Sequence, residues 1–188
     1  MEEPTKQTIR ANARKLLADL TFEARTTASA EICRQITALP EWAAAETVAL
    51  YVHQATEPDL MALLGADGKR CCFPRIRSDD ELDFHQCHSA GLLLPGRWRL
   101  LEPEPEWCPA VADSEIGLFL IPGLAFTRSG GRLGRGGGFY DRFLKRADAR
   151  AAKIGVCFHP QLVSTLPVED HDRNVDMVVT EAEIIRCE

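Results

Sequence analysis

No apolar run in this 188-residue chain approaches the roughly 20 residues that span a bilayer. The amino-terminal stretch MEEPTKQTIR also lacks the hydrophobic segment of a secretion signal. The two absences predict a cytoplasmic protein with no membrane partner. There are seven cysteines, an odd count with no C-x-x-C pair and no framework spacing, so free and mostly buried thiols are expected. His85, Cys87 and His88 in LDFHQCHS come nearest to a metal cluster but have no second cluster to complete it. Alternation along a strand puts His85 and Cys87 opposite Leu82 and Phe84, which predicts an ordinary strand surface. The nucleophile elbow G-x-S-x-G and the phosphate-loop ending Gly-Lys-Ser/Thr are both missing. Positive charge is in short supply, 22 Lys and Arg against 28 Asp and Glu, which argues against nucleic acid as the main partner. Internal repeats and low-complexity tails are absent as well.

What the chain does have is the stretch Gly130 to Leu144, GGRLGRGGGFYDRFL, glycines and arginines running straight into a helix that starts near Phe139. The dinucleotide fingerprint G-x-G-x-x-G fails here, because Phe139 stands where its third glycine belongs. Glycines without side chains let successive N–H groups point inward as an anion-binding nest, and the following helix adds its positive end. Between Arg128 and Arg146 the sequence places Arg128, Arg132, Arg135, Arg142, Lys145 and Arg146 against the single acid Asp141. That local reversal of sign implies an anionic ligand; a mobile glycine loop is the alternative. Asp141, in the first turn of the helix, suits magnesium beside a phosphate, or else serves as a helix-dipole partner or an ion pair to Arg142 or Lys145.

Elsewhere the pattern predicts helices over 5–20 and 22–38, the second ended by Pro40, and a helical or turn stretch from Pro58. Apolar runs predict strands at Thr47–Val52, Arg70–Phe73, Leu82–Cys87, Ile116–Ile121, Lys153–Phe158 and Val175–Val179. Strands interleaved with helices indicate an α/β sandwich with a largely parallel sheet, whose ligands lie at the carboxyl ends of strands. Pro95 to Pro109 reads as an extended loop in which Trp98 either stacks on a flat ligand or covers the edge of the core. Lys6 and Arg10 lie one helical turn apart on one face, either toward a phosphate or simply solvated.

These pieces together resemble the 5-formyltetrahydrofolate cyclo-ligase family. The resemblance rests on Lys6-x-x-x-Arg10, on Tyr51 with Glu57, on WRLLEP from Trp98 to Pro103, on IPGLAFTRSGGRLGRGGGFYDRFL from Ile121 to Leu144 and on PVEDHDRNVDMVVTE from Pro167 to Glu181. It implies one domain over 1–188, a three-layer α/β sandwich of the sugar-phosphate isomerase and CoA-transferase type, with amino-terminal helices closing on an ATP site. The implied activity is the ATP- and magnesium-dependent closure of 5-formyltetrahydrofolate, with or without a polyglutamate tail, to 5,10-methenyltetrahydrofolate by a monomer. Carried over, ATP falls on Lys6, Arg10, Arg132, Leu133, Gly134, Arg135, Gly136, Gly137, Gly138, Phe139 and Tyr140. The folate falls on Val52, Glu57, Trp98, Arg135 and Tyr140, magnesium on Asp141 and Asp172, and catalysis on Arg135, Tyr140 and Asp141. Phe139, where tyrosine is frequent in the family, and Thr127, where aspartate is, depart from the usual spelling. A phosphosugar enzyme of the same fold and a noncatalytic folate- or nucleotide-binding module remain the alternative readings.

Overall fold

The computed structural model describes residues 4–77, 81–147, 149–169 and 172–187. Three helices open the chain, α1 (Lys6–Asp19), α2 (Phe22–Thr37) and α3 (Pro40–Ala44). Thr5 caps α1 by accepting from the Thr8 N–H, and Thr21 caps α2 by accepting from Ala24, each supplying an acceptor to an otherwise orphaned donor. Pro40 does end the second helix and also begins the third, at its first turn, where a missing N–H costs nothing.

The strands are β1 (Thr47–Ala49), β2 (Arg70–Ile76), β3 (Leu82–Gln86), β4 (Leu93–Pro95), β5 (Leu101–Pro103), β6 (Ala110–Val111), β7 (Leu118–Pro122), β8 (Ala125–Phe126), β9 (Arg132–Leu133), β10 (Ala152–Val156), β11 (Met177–Val179) and β12 (Ile184–Arg186), with α4 (Phe139–Arg146) between β9 and β10. Eight of them form one sheet in the order β12-β11-β10-β7-β1-β2-β3-β6. The run from β11 to β2 is parallel, while β12, β3 and β6 join it antiparallel at the edges. Each predicted strand is present with shifted ends. The short strands β4, β5, β6, β8, β9 and β12 were not foreseen, being too brief to carry a periodic signal.

Side chains of the central strands alternate between two cores, as the two-residue period of a strand requires. Val48, Leu118, Leu120, Ile154 and Val156 pack on one face with Leu17, Ile32, Ile36 and Trp42 from the first three helices. Ala49, Phe119, Ile121 and Val178 pack on the other with Phe143 and Leu144 from α4. The result is helix, sheet and helix in three layers.

The stretch from Pro58 is of the turn kind, with short 3-10 turns at Met61–Leu63 and Ala66–Gly68 interrupted by Gly65 at φ 76°. Two expectations are corrected. Pro95 to Pro109 is not a plain loop: β5 turns back on β4 through a tight turn at Arg97–Arg99. His85 and Cys87 do not lie on an open strand surface. Both are buried, His85 at 8% and Cys87 at 0% exposure, and His85 Nδ1 lies 2.7 Å from the Cys108 carbonyl oxygen. The segment ahead of β6 covers that face, a contact distant in sequence. Among the described residues no cluster of three or more His, Cys, Asp or Glu is placed to hold a metal.

Candidate functional site

From β1 the chain crosses to β2 on one side, and from β7 it crosses to β10 on the other. The carboxyl ends of β1 and β7 therefore flank a switch point, the place where open α/β sheets form a crevice. Tyr51 and Val52 leave β1 there and Pro122 and Gly123 leave β7, and all four line a cavity of about 450 Å³. Trp98, Leu101, Ile76, Leu82 and Phe139 give it apolar walls. A second, polar cavity of about 430 Å³ is lined by Lys6, Arg10, Gly134, Gly136, Gly138, Asp141 and Glu169. Gly134, Gly138 and Asp141 border both.

The glycine turn is held in place from several sides. The β8–β9 hairpin precedes it, pinned by Thr127, whose Oγ1 accepts from the Gly131 N–H at 2.9 Å. The hydroxyl at this unusual position thus fastens the turn. Ile9 of α1 packs on Ala125 and Leu133 of the hairpin, and Arg10 Nε donates to the Gly134 carbonyl at 3.0 Å, so α1 closes on the loop as expected. Leu133 is buried at 2% exposure and offers a ligand only its backbone. Gly136 and Gly138 have φ of 112° and 68°, angles that side chains resist. Gly138 is the residue from which α4 springs, so the helix's positive end opens at the cavities.

The expected excess of positive charge does not survive folding. Arg128 pairs with Glu183, Arg132 with Asp141, Arg135 with Glu57, and Arg142 and Arg146 with Glu81. Asp141 belongs to the same stretch; Glu183, Glu57 and Glu81 come from distant parts of the chain. Lys6 binds Asp172, its Nζ 2.7 Å from Oδ2 and 3.0 Å from Oδ1. Among the described residues Arg10 has no carboxylate partner, which leaves it the cation of the polar cavity with an unmatched charge.

Arg132 is buried, its Nη2 donates to Asp141 Oδ1 at 2.5 Å, and its guanidinium lies 5.7 Å from the Tyr140 ring centroid. It orients Asp141 more than it faces a ligand. Asp141 Oδ2 accepts no hydrogen bond from the described residues, and the residue borders both cavities. One free carboxylate oxygen beside a phosphate nest fits magnesium, which takes one or two carboxylates and keeps phosphate oxygens as ligands. Asp172, the other expected ligand, is occupied by Lys6 and also accepts from the Glu169 N–H. Asp170 and His171 of the same motif lie outside the described residues.

Glu57 is buried; Arg135 Nε donates to its Oε1 and the Gln54 N–H to its Oε2, both at 2.9 Å. Arg135 is thereby drawn to Glu57 and to Thr56, and lines the larger cavity with Gly137. Burial and the Glu57 charge push the Tyr140 hydroxyl well above its ordinary range despite the opposing Arg132, so it stays protonated as a hydrogen-bond donor. Trp98 adopts φ 51°, a conformation unfavourable for its bulk. Its ring meets Phe139 at 5.4 Å between centroids and is 63% exposed; Arg142 backs Phe139 from 5.0 Å. Trp98 thus forms a wall of the apolar cavity and does not cover the core edge.

The fold and the crevice define an α/β protein in which an apolar slot and a glycine-lined polar cavity meet at the sheet's switch point. Comparison with known proteins narrows the class. The model of the 5-formyltetrahydrofolate cyclo-ligase family matches residues 2–181, and the chain belongs to that family, whose named members are ligase enzymes. It is 38% identical over 150 residues to 5-formyltetrahydrofolate cyclo-ligase of Mycolicibacterium smegmatis, covering 71% of this chain and 73% of that protein. To the mouse protein of the same name it is 28% identical, over 94% of this chain and 93% of the other. The solved 5,10-methenyltetrahydrofolate synthetase of Aquifex aeolicus superposes with a TM-score of 0.85 at 31% identity, covering 96% and 92% of the two chains. A synthetase of that name from Mycoplasma pneumoniae, 22% identical with a TM-score of 0.76 over 94% and 98% of the chains, shares the fold.

Proposed function

We propose that this chain uses ATP and magnesium to convert 5-formyltetrahydrofolate into 5,10-methenyltetrahydrofolate, releasing ADP and phosphate. The observation that carries the reading is the shared border of the two cavities at Gly134, Gly138 and Asp141. A triphosphate in the polar cavity and a folate in the apolar one would meet there. The formyl oxygen attacks the γ-phosphorus, the bond to the bridging oxygen of ADP breaks, and the N5-bound carbon becomes an iminium phosphate. N10 then attacks that carbon, loses its proton to solvent, and the carbon–oxygen bond breaks to release phosphate. The substrate supplies both nucleophiles, consistent with the absence of a nucleophile motif, so the protein's part is positioning and charge stabilisation.

Arg10 and the loop N–H groups bind the phosphates, aided by the start of α4. Lys6 joins them on leaving Asp172. Asp141, with Asp172 once Lys6 has moved, would hold magnesium, which supplies charge neutralisation to the phosphoryl oxygens. Trp98 and Phe139 flank the pterin, Val52 bounds the slot, and Tyr140 donates a hydrogen bond toward the reacting end. Arg135, held by Glu57, closes the side next to the glycines. The test is the absorbance of the methenyl product, followed with 5-formyltetrahydrofolate and magnesium, with and without ATP. Product that forms only with ATP is expected; folded protein that binds ATP but forms none would refute the reading.

A further inference from the structure

Glu102, in WRLLEP, takes no part in the reaction as set out above, although it lines the larger cavity and is only 4% exposed. Its Oε1 is buried with no hydrogen-bond partner among the described residues. Arg75 stands 4.0 Å from Oε2, too far for a close ion pair, and spends Nη1 on the Pro103 carbonyl at 2.8 Å. Burial holds the carboxyl above its ordinary range in spite of backbone N–H groups of Ile76 and Arg97 and the Arg75 charge, all of which act to lower it. The chain also makes room for the group. A Cβ on Gly96 would come within 2.3 Å of Oε2, so the carboxylate in its present position fills the space that a side chain there would take.

Glu57 is the contrasting case, since both of its oxygens are already engaged by Arg135 and by the Gln54 N–H. A buried acceptor left unmatched in an apolar slot calls for a ligand donor. The slot, walled by Trp98, Phe139, Ile76 and Leu82, takes a flat heterocycle and leaves polar recognition to its edge. We propose that Glu102 is a specificity-determining residue for the folate, its free Oε1 accepting an N–H of the planar amino-pyrimidinone edge. The proposal rests on reading this cavity as the folate site.

The test uses the full chain with Glu102→Gln and Glu102→Leu, titrated calorimetrically with 5-formyltetrahydrofolate, with ATP, and with a 2-desamino analogue of the folate. Both variants should bind the folate about 10-fold more weakly or worse, the loss of one charge-assisted hydrogen bond. ATP affinity should stay within about twofold; Glu102→Gln, which can still accept from the backbone N–H groups of Ile76 and Arg97, should keep the melting temperature, whereas Glu102→Leu strands those donors and should melt lower. The 2-desamino analogue should bind wild type and variants alike. Unchanged folate affinity in both variants overturns the proposal. So does an equal loss of folate and ATP binding accompanied by a lower melting temperature, which marks a structural role, and so does undiminished discrimination against the analogue. Wild-type protein that binds ATP but not 5-formyltetrahydrofolate refutes the cavity reading itself and the proposal with it; wild type that binds the folate while both variants match it refutes the proposal alone.

Discussion

The polar and apolar cavities meet at three residues yet are built on opposite principles. In the polar cavity nearly every charge is already answered: Lys6 by Asp172 and Asp141 by Arg132. A phosphate entering it competes with bonds the protein has made with itself, and gains mainly from Arg10, the loop N–H groups and the helix end. The apolar cavity holds its shape with Trp98 and Phe139 in tilted contact and leaves a carboxylate oxygen unmatched. Ligand binding there gains from burial and from answering that oxygen. The comparison teaches that charge counted along the sequence is a poor guide to charge offered to a ligand, because folding brings acids from distant segments onto the cations.

The sharpest way to break the comparison is Asp141→Asn, the residue on the shared border. It should lower magnesium-dependent turnover by at least about 100-fold, and by loosening the buried Arg132 it should also lower the melting temperature. Steady-state assays over a magnesium titration, together with a thermal melt, check both, and near-normal activity would move the metal elsewhere. Arg10→Ala should raise the KM for ATP about 30-fold, the worth of a charge-assisted contact near 2 kcal/mol, and leave the folate KM alone; added salt should narrow the difference from wild type. Trp98→Ala should act on the other side, weakening the folate about 10-fold through lost stacking and area while ATP binding stays unchanged, as separate titrations will show. The smallest effect belongs to Phe139→Tyr. The ring is half-buried between Trp98 and Arg142, so turnover should stay within about twofold, and a collapse in the same assay would mean that this wall tolerates no hydroxyl.

Glu57 shows how the structure changes an expectation drawn from sequence. The family resemblance alone puts it at the folate, which makes a change there an effect on folate binding. In the fold it anchors Arg135 beside the glycine turn, so Glu57→Gln would disturb both ligands. Trp98, a residue with two equal readings in sequence, lies at the wall of the apolar cavity, held in strained backbone where the β4–β5 hairpin turns.

Much was legible from residues alone, for local reasons. The helices announced themselves by spacing and caps, the parallel strands by short apolar runs, and the glycine turn by angles only glycine adopts readily. Together with the long motif these determined the fold class and singled out the glycine turn as the candidate phosphate site. Tertiary structure decided everything that depends on which distant segments touch. It buried His85 and Cys87 under the segment before β6, paired Arg128, Arg135, Arg142 and Arg146 with remote acids, and set Glu102 with one oxygen unanswered in an apolar slot. Periodicity and caps are properties of neighbours in the chain; burial and charge compensation are properties of neighbours in space, and only the folded sheet brings those together.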